Sequence, residues 1–249
     1  MIIIFICFIT YNNIYVYYYM YQITVITPTI GRKSLYKTIE SLSKSSNVKI
    51  LHFILWDNKR CDDGIEPDDK IMETYNNENY KIHNYIFPQQ VYNIARKDNY
   101  LRNIGIIMAT TEYITMLGDD CWIENDWYSR AINNIQKEKN ATYTFCKRYI
   151  WKNKDNNQIE KLGIDDYESI GITNKFGYKL IENDALVFTK NIKFIIAIII
   201  DATNSYISDR MIAQELTTKH IGIFDIKCGL NQICPDNLVN FHSNNITKF

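Results

Sequence analysis

The segment Glu112–Trp127, EYITMLGDDCWIENDW, constrains this chain more than any other. It opens as a β-branched and aromatic run, Tyr113-Ile114-Thr115-Met116-Leu117, which reads as a short buried strand. The run breaks at Gly118 into adjacent carboxylates, Asp119 and Asp120, followed by Cys121 and Trp122. A strand that ends this way presents charge at the carboxyl edge of a sheet, where open α/β sheets bind ligands. Two neighbouring carboxylates repel unless a cation or a proton lies between them. Two readings follow: a divalent-metal site serving a phosphorylated ligand, or an acidic turn that caps the next helix.

The flanking sequence supplies a sheet for that strand. Gln22–Thr27 is a compact strand pattern, stopped by Pro28 and Gly31. Ser34 is placed to cap a helix with Leu35, Ile39 and Leu42 on one face. Lys49–Trp56 reads as a second buried strand ending at Asp57-Asn58. Strand, helix, strand with short connections describes a parallel βαβ unit. Cys61–Asn79 is a polar loop with one helical turn, and Val91–Ala109 has helical spacing with Leu101, Ile104 and Met108 on one stripe. Beyond the acidic pair, Asp126 is a cap for a helix carrying Trp127, Ala131 and Ile135. Strands are expected over Ala141–Ile150, Asp184–Thr189 and His220–Ile226, a long loop over Trp151–Tyr178, and a helix after Ser208. Ile195–Ile200 is strongly apolar but too short to cross a bilayer, so it reads as core. The tail from Cys228 is polar and is expected on the surface.

Composition excludes more than it assigns. With 28 basic and 28 acidic residues the chain offers no polyanion-binding surface, and nucleic acid is disfavoured as a partner. The six cysteines show no CxxC spacing and do not cluster with the four histidines, which argues against structural zinc and suits reduced thiols. No charged side chain occurs from Met1 to Gly31, and Met1–Ile9 is continuously apolar. Thr10, Asn12 and Asn13 interrupt that run well short of the roughly 20 apolar residues that span a membrane. Residues 1–19 are therefore expected as an apolar N-terminal extension or a marginal membrane anchor, and 20–249 as one folded domain. The expected location is the cytoplasm or the cytoplasmic face of a membrane, with membrane association left open.

Three strand ends, Thr27-Pro28-Thr29, Asp57 and Asp119-Asp120, can converge on one crevice, because parallel strands end on the same side. The order of these pieces resembles the family 2 type glycosyltransferases of the GT-A fold. The resemblance is carried by VITPTIGRKSLYKTIESL, LHFILWDN and, most specifically, YLRNIGIIMATTEYITMLGDDCW. It covers roughly Ile23–Ile135, and later only Ser205–Leu216. It implies an α/β fold of GT-A type, a single Rossmann-like nucleotide-binding domain whose mostly parallel central sheet is flanked by helices. It also implies a nucleotide-diphosphate sugar donor, most readily a UDP-sugar, a Mn²⁺ or Mg²⁺ cofactor, and a glycan, lipid-linked or protein acceptor that the residues do not specify.

Carried over position by position, the resemblance puts Pro28 and Thr29 along the nucleotide pocket and Asp57 against the base. Arg102 and Asn103 would lie near the base or ribose, Asp119 toward the donor's ribose and sugar, and Asp120 on the metal. Asp209 matches the general base. Each residue also has a plainer role open to it: Asp57 as a strand terminator, Arg102 as a partner of Asp98, Asp209 as an acid at a helix start. The chain departs from the usual acid-x-acid segment, since Gly118 stands where a carboxylate is common and Cys121 follows the pair. Mg²⁺ commonly uses one or two carboxylates plus substrate phosphates and water, so Asp120 with the donor's diphosphate suffices. Two alternatives remain beside the inverting transferase. One is a non-catalytic nucleotide- or glycan-binding relative; the other is a sugar-nucleotide nucleotidyltransferase, which the single glycine of TPTIGRKS disfavours.

A positioned base contributes about 10²–10⁴-fold to such a reaction. Asp209→Asn is therefore expected to abolish sugar transfer and leave nucleotide binding nearly intact. Unchanged turnover in that variant removes Asp209 from the mechanism.

Overall fold

The computed structural model describes residues 21–57, 64–87, 97–138, 141–145, 147–153, 159–166, 184–200, 221–225, 230–233 and 246–247. The expected N-terminal extension or anchor and the helix after Ser208 lie outside them. A seven-stranded sheet runs in the order β10-β6-β9-β4-β1-β2-β3. β1 (Ile23–Thr29) is an interior strand, with β2 (Ile50–Trp56) and β4 (Tyr113–Met116) parallel to it on either side. β3 (Tyr80–Ile86) forms one edge, and β9 (Val187–Thr189) runs antiparallel to both β4 and β6 (Ala141–Phe145). β10 (Ile221–Asp225) closes the other edge, parallel to β6.

Side chains of the central strands alternate between two apolar layers, as the pleat requires. Ile23, Val25, Ile50 and Ile54 face a core shared with Leu35, Ile39 and Leu42 of α1 (Leu35–Ser43) and with Trp127, Ala131 and Ile135 of the helix Trp127–Ile135. Ile26, Leu51, Phe53 and Leu55 face the other core, with Leu101 and Ile106 of the helix Lys97–Met108 and Ile196 and Ile200 of the helix Lys193–Ile200. Counting the short α2 (Asp69–Glu73), these three helices are α4, α3 and α5 respectively. Both faces of the sheet are thus covered, which is why β1 and β2 are buried along their whole length. The α/β, mostly parallel sheet expected from the sequence is the one observed.

Several expectations need correction. β1 continues through Pro28 to Thr29 instead of stopping at Thr27. Ile26 is bonded toward the β4 side, through Leu117 N–H, and Thr29 toward the β2 side, through Asp57 N–H. By that alternation the missing N–H of Pro28 would point past the end of β4, where no ladder partner is lost. Neither Ser34 nor Asp126 makes a side-chain cap bond; Ser34 is itself helical, and Asp126 pairs with Arg130 instead. The single strand expected over Ala141–Ile150 is two, β6 and β7 (Lys147–Asn153), in different sheets. The expected loop after Trp151 contains β8 (Ile159–Asp166), antiparallel to β7. The tail expected on the surface contributes β11 (Leu230–Ile233), whose Leu230 is fully buried.

These strands build a second sheet, β12-β8-β7-β11-β5, in which β5 is Cys121–Ile123 and β12 is Ile246–Thr247. It starts from the acidic segment itself, because Ile233 N–H donates to the Asp120 carbonyl at 2.9 Å. Among the described residues no helix is long and apolar enough to cross a membrane.

Inside the first core, the His52 ring bridges Thr27 Oγ1 at 2.8 Å and Tyr80 Oη at 2.6 Å. Complete burial lowers its pKa to about 3. Unfolded, His52 takes up a proton near its ordinary 6.5; folded, it does so only at about 3. The unfolded chain binds more protons across that window, so the stability present above pH 6.5 is lost as pH falls toward 3. The loss is expected at up to about 1.4 kcal/mol per pH unit from this one group, with His83, also lowered by burial, adding to it. Denaturant melts of His52→Gln should show that acid slope reduced by about one proton. An unchanged slope would contradict the assignment.

Candidate active site at the carboxyl edge of the sheet

β1, β2 and β4 end on one side, and their last residues form the floor of the site. Thr29 Oγ1 donates to Asp119 Oδ2 at 2.7 Å, linking the end of β1 to the turn after β4. Gly31 has φ 84, a left-handed conformation that suits glycine, and its N–H donates to Thr29 Oγ1 at 2.9 Å. That turn carries Arg32 back over the strand end, where its guanidinium meets Asp119 Oδ1 at 2.5 Å. Asp119 is 2% exposed, and burial raises its pKa; Arg32 opposes that shift, Asp120 adds to it, and the bonds from Thr29 and Arg32 oppose it. Both oxygens of Asp119 are thus engaged within the protein.

A second guanidinium comes from α3. An added Cβ at Gly105 would lie 2.4 Å from Ile26 Cγ2 and 3.1 Å from Leu55 Cδ1, so the absence of a side chain lets α3 lie directly on β1 and β2. Because α3 runs back toward the start of β4, its middle, with Arg102 and Asn103, lies nearer the site than its carboxyl end does. Arg102 Nη2 contacts Asp184 Oδ1 at 3.2 Å, not Asp98. Asn103 is buried, and its Oδ1 has no hydrogen-bond partner among the described residues. Asp57 is buried directly after β2, with its N–H on Thr29 carbonyl oxygen at 2.8 Å.

Asp120 differs from its neighbours. Its side chain is partly exposed, forms no ion pair among the described residues, and accepts there only from the Cys121 thiol, at 3.3 Å. Cys121 is a buried thiol outside any disulfide, and it also lies 3.9 Å from Asp184 Oδ2. An added Cβ at Gly118 would stand 2.7 Å from Asp120 Oδ1 and 3.5 Å from Asp184 Oδ1. Glycine here therefore leaves a gap between two carboxylates. Among the described residues no group of three or more His, Cys, Asp or Glu is arranged to hold a metal. Any cation at Asp120 would take its remaining ligands from substrate and water.

The structure thus brings together Thr29, Asp119, Asp120 and Arg102 from the sequence-derived set, with Pro28 in β1 and Asp57 at the adjoining strand end. Asn103 has no contact to the carboxylates among these bonds, and Asp209 lies outside the described residues. Sequence reasoning noted Cys121 only as a departure from the usual segment, and missed Arg32 and Asp184. Arg32 carried a signal, a basic residue directly after the first turn glycine; Asp184 carried none that spacing could reveal.

The profile described as Glycosyl transferase family 2 matches residues 24–196, more than half of the chain. The chain belongs to glycosyl transferase family 2. Its fold is similar to that of S. aureus TarS residues 1–349, with TM-score 0.55 and 15% identity over 88% of this chain and 62% of that one. The same TarS segment in complex with UDP-GlcNAc matches with TM-score 0.52 and 13% identity, over 86% and 59%. GalNAc-T7 with UDP, GalNAc and Mn²⁺ matches with TM-score 0.51 and 13% identity, over 86% and 43%. The chain therefore spans less than two thirds of the length of these structures. No curated protein sequence matches it.

Gly118→Ala isolates the Asp120 geometry. The added methyl meets the mobile end of one side chain, so stability should change by less than about 1 kcal/mol. The Asp120 carboxylate must turn away, and nucleotide-supported Mn²⁺ binding, read by electron paramagnetic resonance, should fall. Retained Mn²⁺ binding would show that the gap at Gly118 has no functional weight.

Proposed function

We propose that this chain is a metal-dependent glycosyltransferase that moves a sugar from a UDP-sugar to an acceptor hydroxyl with inversion at the anomeric carbon. The observation that carries the reading is the state of Asp120. In a family 2 sheet, at the edge where ligands bind, it is a partly exposed carboxylate beside two others, Asp119 and Asp184, that already face guanidinium groups. The UDP-GlcNAc and UDP complexes of similarly folded proteins support a uridine nucleotide donor.

Mn²⁺ or Mg²⁺ fits what is present. Asp120 offers the hard oxygen ligand these ions prefer, and the gap at Gly118 leaves its Oδ1 uncrowded. When bound, the ion supplies Lewis-acid stabilisation of charge on the departing diphosphate. The chain's own residues do the rest. Pro28 and Thr29 line the nucleotide pocket, Asp57 takes the base, and Arg102 with Asn103 borders the base or ribose. Asp119, anchored by Thr29 and Arg32, keeps the strand end in place for Asp120 and lies toward the donor sugar. Asp209 accepts the acceptor's hydroxyl proton as that oxygen bonds to the anomeric carbon. The bond from that carbon to the diphosphate breaks, and its electron pair leaves with the UDP. Attack opposite the leaving group inverts the centre.

Asp120→Ala should lose the Mn²⁺-dependent part of UDP binding, by about tenfold or more, measured by calorimetry with and without the ion. The wild-type protein should also release UDP slowly from its donor when Mn²⁺ is present. A protein that binds UDP equally well with and without Mn²⁺, and never hydrolyses a donor, is a binding module and not a transferase.

A further inference from the structure

We infer that Asp184 is a positioning residue of the donor site, fixing the guanidinium of Arg102 and, through the Cys121 thiol, the carboxylate of Asp120. The inference rests on the glycosyltransferase reading above and extends it to a residue outside the three motif segments that carry the sequence resemblance.

Asp184 reaches the site because β9 runs against its neighbours. The parallel strands β1, β2 and β4 bring their carboxyl ends to this edge, whereas antiparallel β9 brings the residues that precede its start. Asp184 forms a bridge with Met116, the last residue of β4, and Ala185 N–H donates to the Met116 carbonyl at 2.5 Å. Ala185 has φ 60, a left-handed conformation unfavourable for a residue with a Cβ. Trp127 Nε1 donates to its carbonyl at 3.4 Å from the fully buried Trp127. Such a conformation persists only where its surroundings over-determine it, and residues of this kind cluster at functional sites.

The side chain then touches two elements of the donor site. Oδ1 lies 3.2 Å from Arg102 Nη2, and both side chains are largely withdrawn from water, at 10% and 13% exposure. Withdrawal strengthens the pair and gives the flexible arginine one direction. Oδ2 lies 3.9 Å from the Cys121 Sγ, which is 3.3 Å from Asp120 Oδ1. A thiol carries one proton and can donate to one carboxylate at a time. Of the two, Asp120 is the nearer. Were Asp120 to engage a cation, Asp184 Oδ2 would lie within reach of the same thiol. The carboxylate that the strand-end motif lacks at Gly118 is thus supplied in space by Asp184, 3.5 Å from where a Cβ of residue 118 would stand.

The test is UDP binding at saturating Mn²⁺, measured by calorimetry beside a thermal melt. Asp184→Asn keeps the shape and removes the charge; UDP should bind about tenfold more weakly. Asp184→Glu should restore part of that loss. The double variant Asp184→Asn/Arg102→Gln should lose less than the sum of the two single losses, because part of what Asp184 does passes through Arg102. A purely structural ion pair would lower the melting temperature and leave UDP affinity unchanged, and that result overturns the inference. So do losses from the two single variants that simply add. If Asp184→Asn does not fold, Asp184→Glu decides alone: weakened UDP binding supports the inference and wild-type affinity overturns it. Wild-type protein that binds no UDP with Mn²⁺ overturns the glycosyltransferase reading and this inference together. Wild-type binding with an unaltered Asp184→Asn overturns the inference only.

Discussion

A carboxylate taken almost wholly out of water between two strand ends is the constraint on which the site depends. Asp119 can occupy that position because Thr29 and Arg32 engage both its oxygens, and the left-handed turn at Gly31 is what carries Arg32 there. The charge so neutralised belongs to neither strand alone; it ties the end of β1 to the turn after β4 across a sequence distance of 90 residues. Burial still pushes Asp119 toward protonation. The ion pair with a half-exposed arginine offsets only part of that cost, as expected for a pair open to water on one side. Asp120, one residue on, keeps partial contact with water, and this difference in burial separates an anchoring acid from one open to solvent.

The central half of the fold was legible because its signals are local. β1, β2 and β4 are short apolar runs with abrupt polar ends, and α1 and α4 carry apolar residues at helical spacing. β7 and β8 were not legible. KRYIWKN and IEKLGIDD mix charge with apolar residues at no clean period, because they pair in a second sheet rather than filling the main core. The break between β6 and β7 falls inside one continuous β-like run, and only the partners of each half separate them. Pro28 misled for a related reason: its strand-breaking effect depends on which side its missing N–H would face, and that is a property of the sheet.

The site divides along the same line. Residues at strand ends, Thr29, Asp57, Asp119 and Asp120, follow from the strand pattern together with the rule that parallel strands share an edge. Arg102 was visible as a residue but not as a partner; the nearby Asp98 was the obvious candidate, and the actual one is 82 residues away. Asp184 precedes an antiparallel strand, and direction cannot be read from a run as short as VFT. Belonging to glycosyl transferase family 2 accounts for the frame, while the approach of Asp120 and Asp184 to one another beside Gly118 is visible only in the folded chain.

The antiparallel β9 also bears on how the chain reaches its native state. Arg102 and the acidic turn are synthesised well before residue 184, so the carboxylate that faces Arg102 in the folded chain is the last of the three to be made. Contacts of such long sequence separation are entropically slow to close. This edge of the sheet is therefore a late-maturing part of the molecule: its floor needs β1 to meet the turn after β4 across 90 residues, and its charge balance needs residue 184, which comes later still.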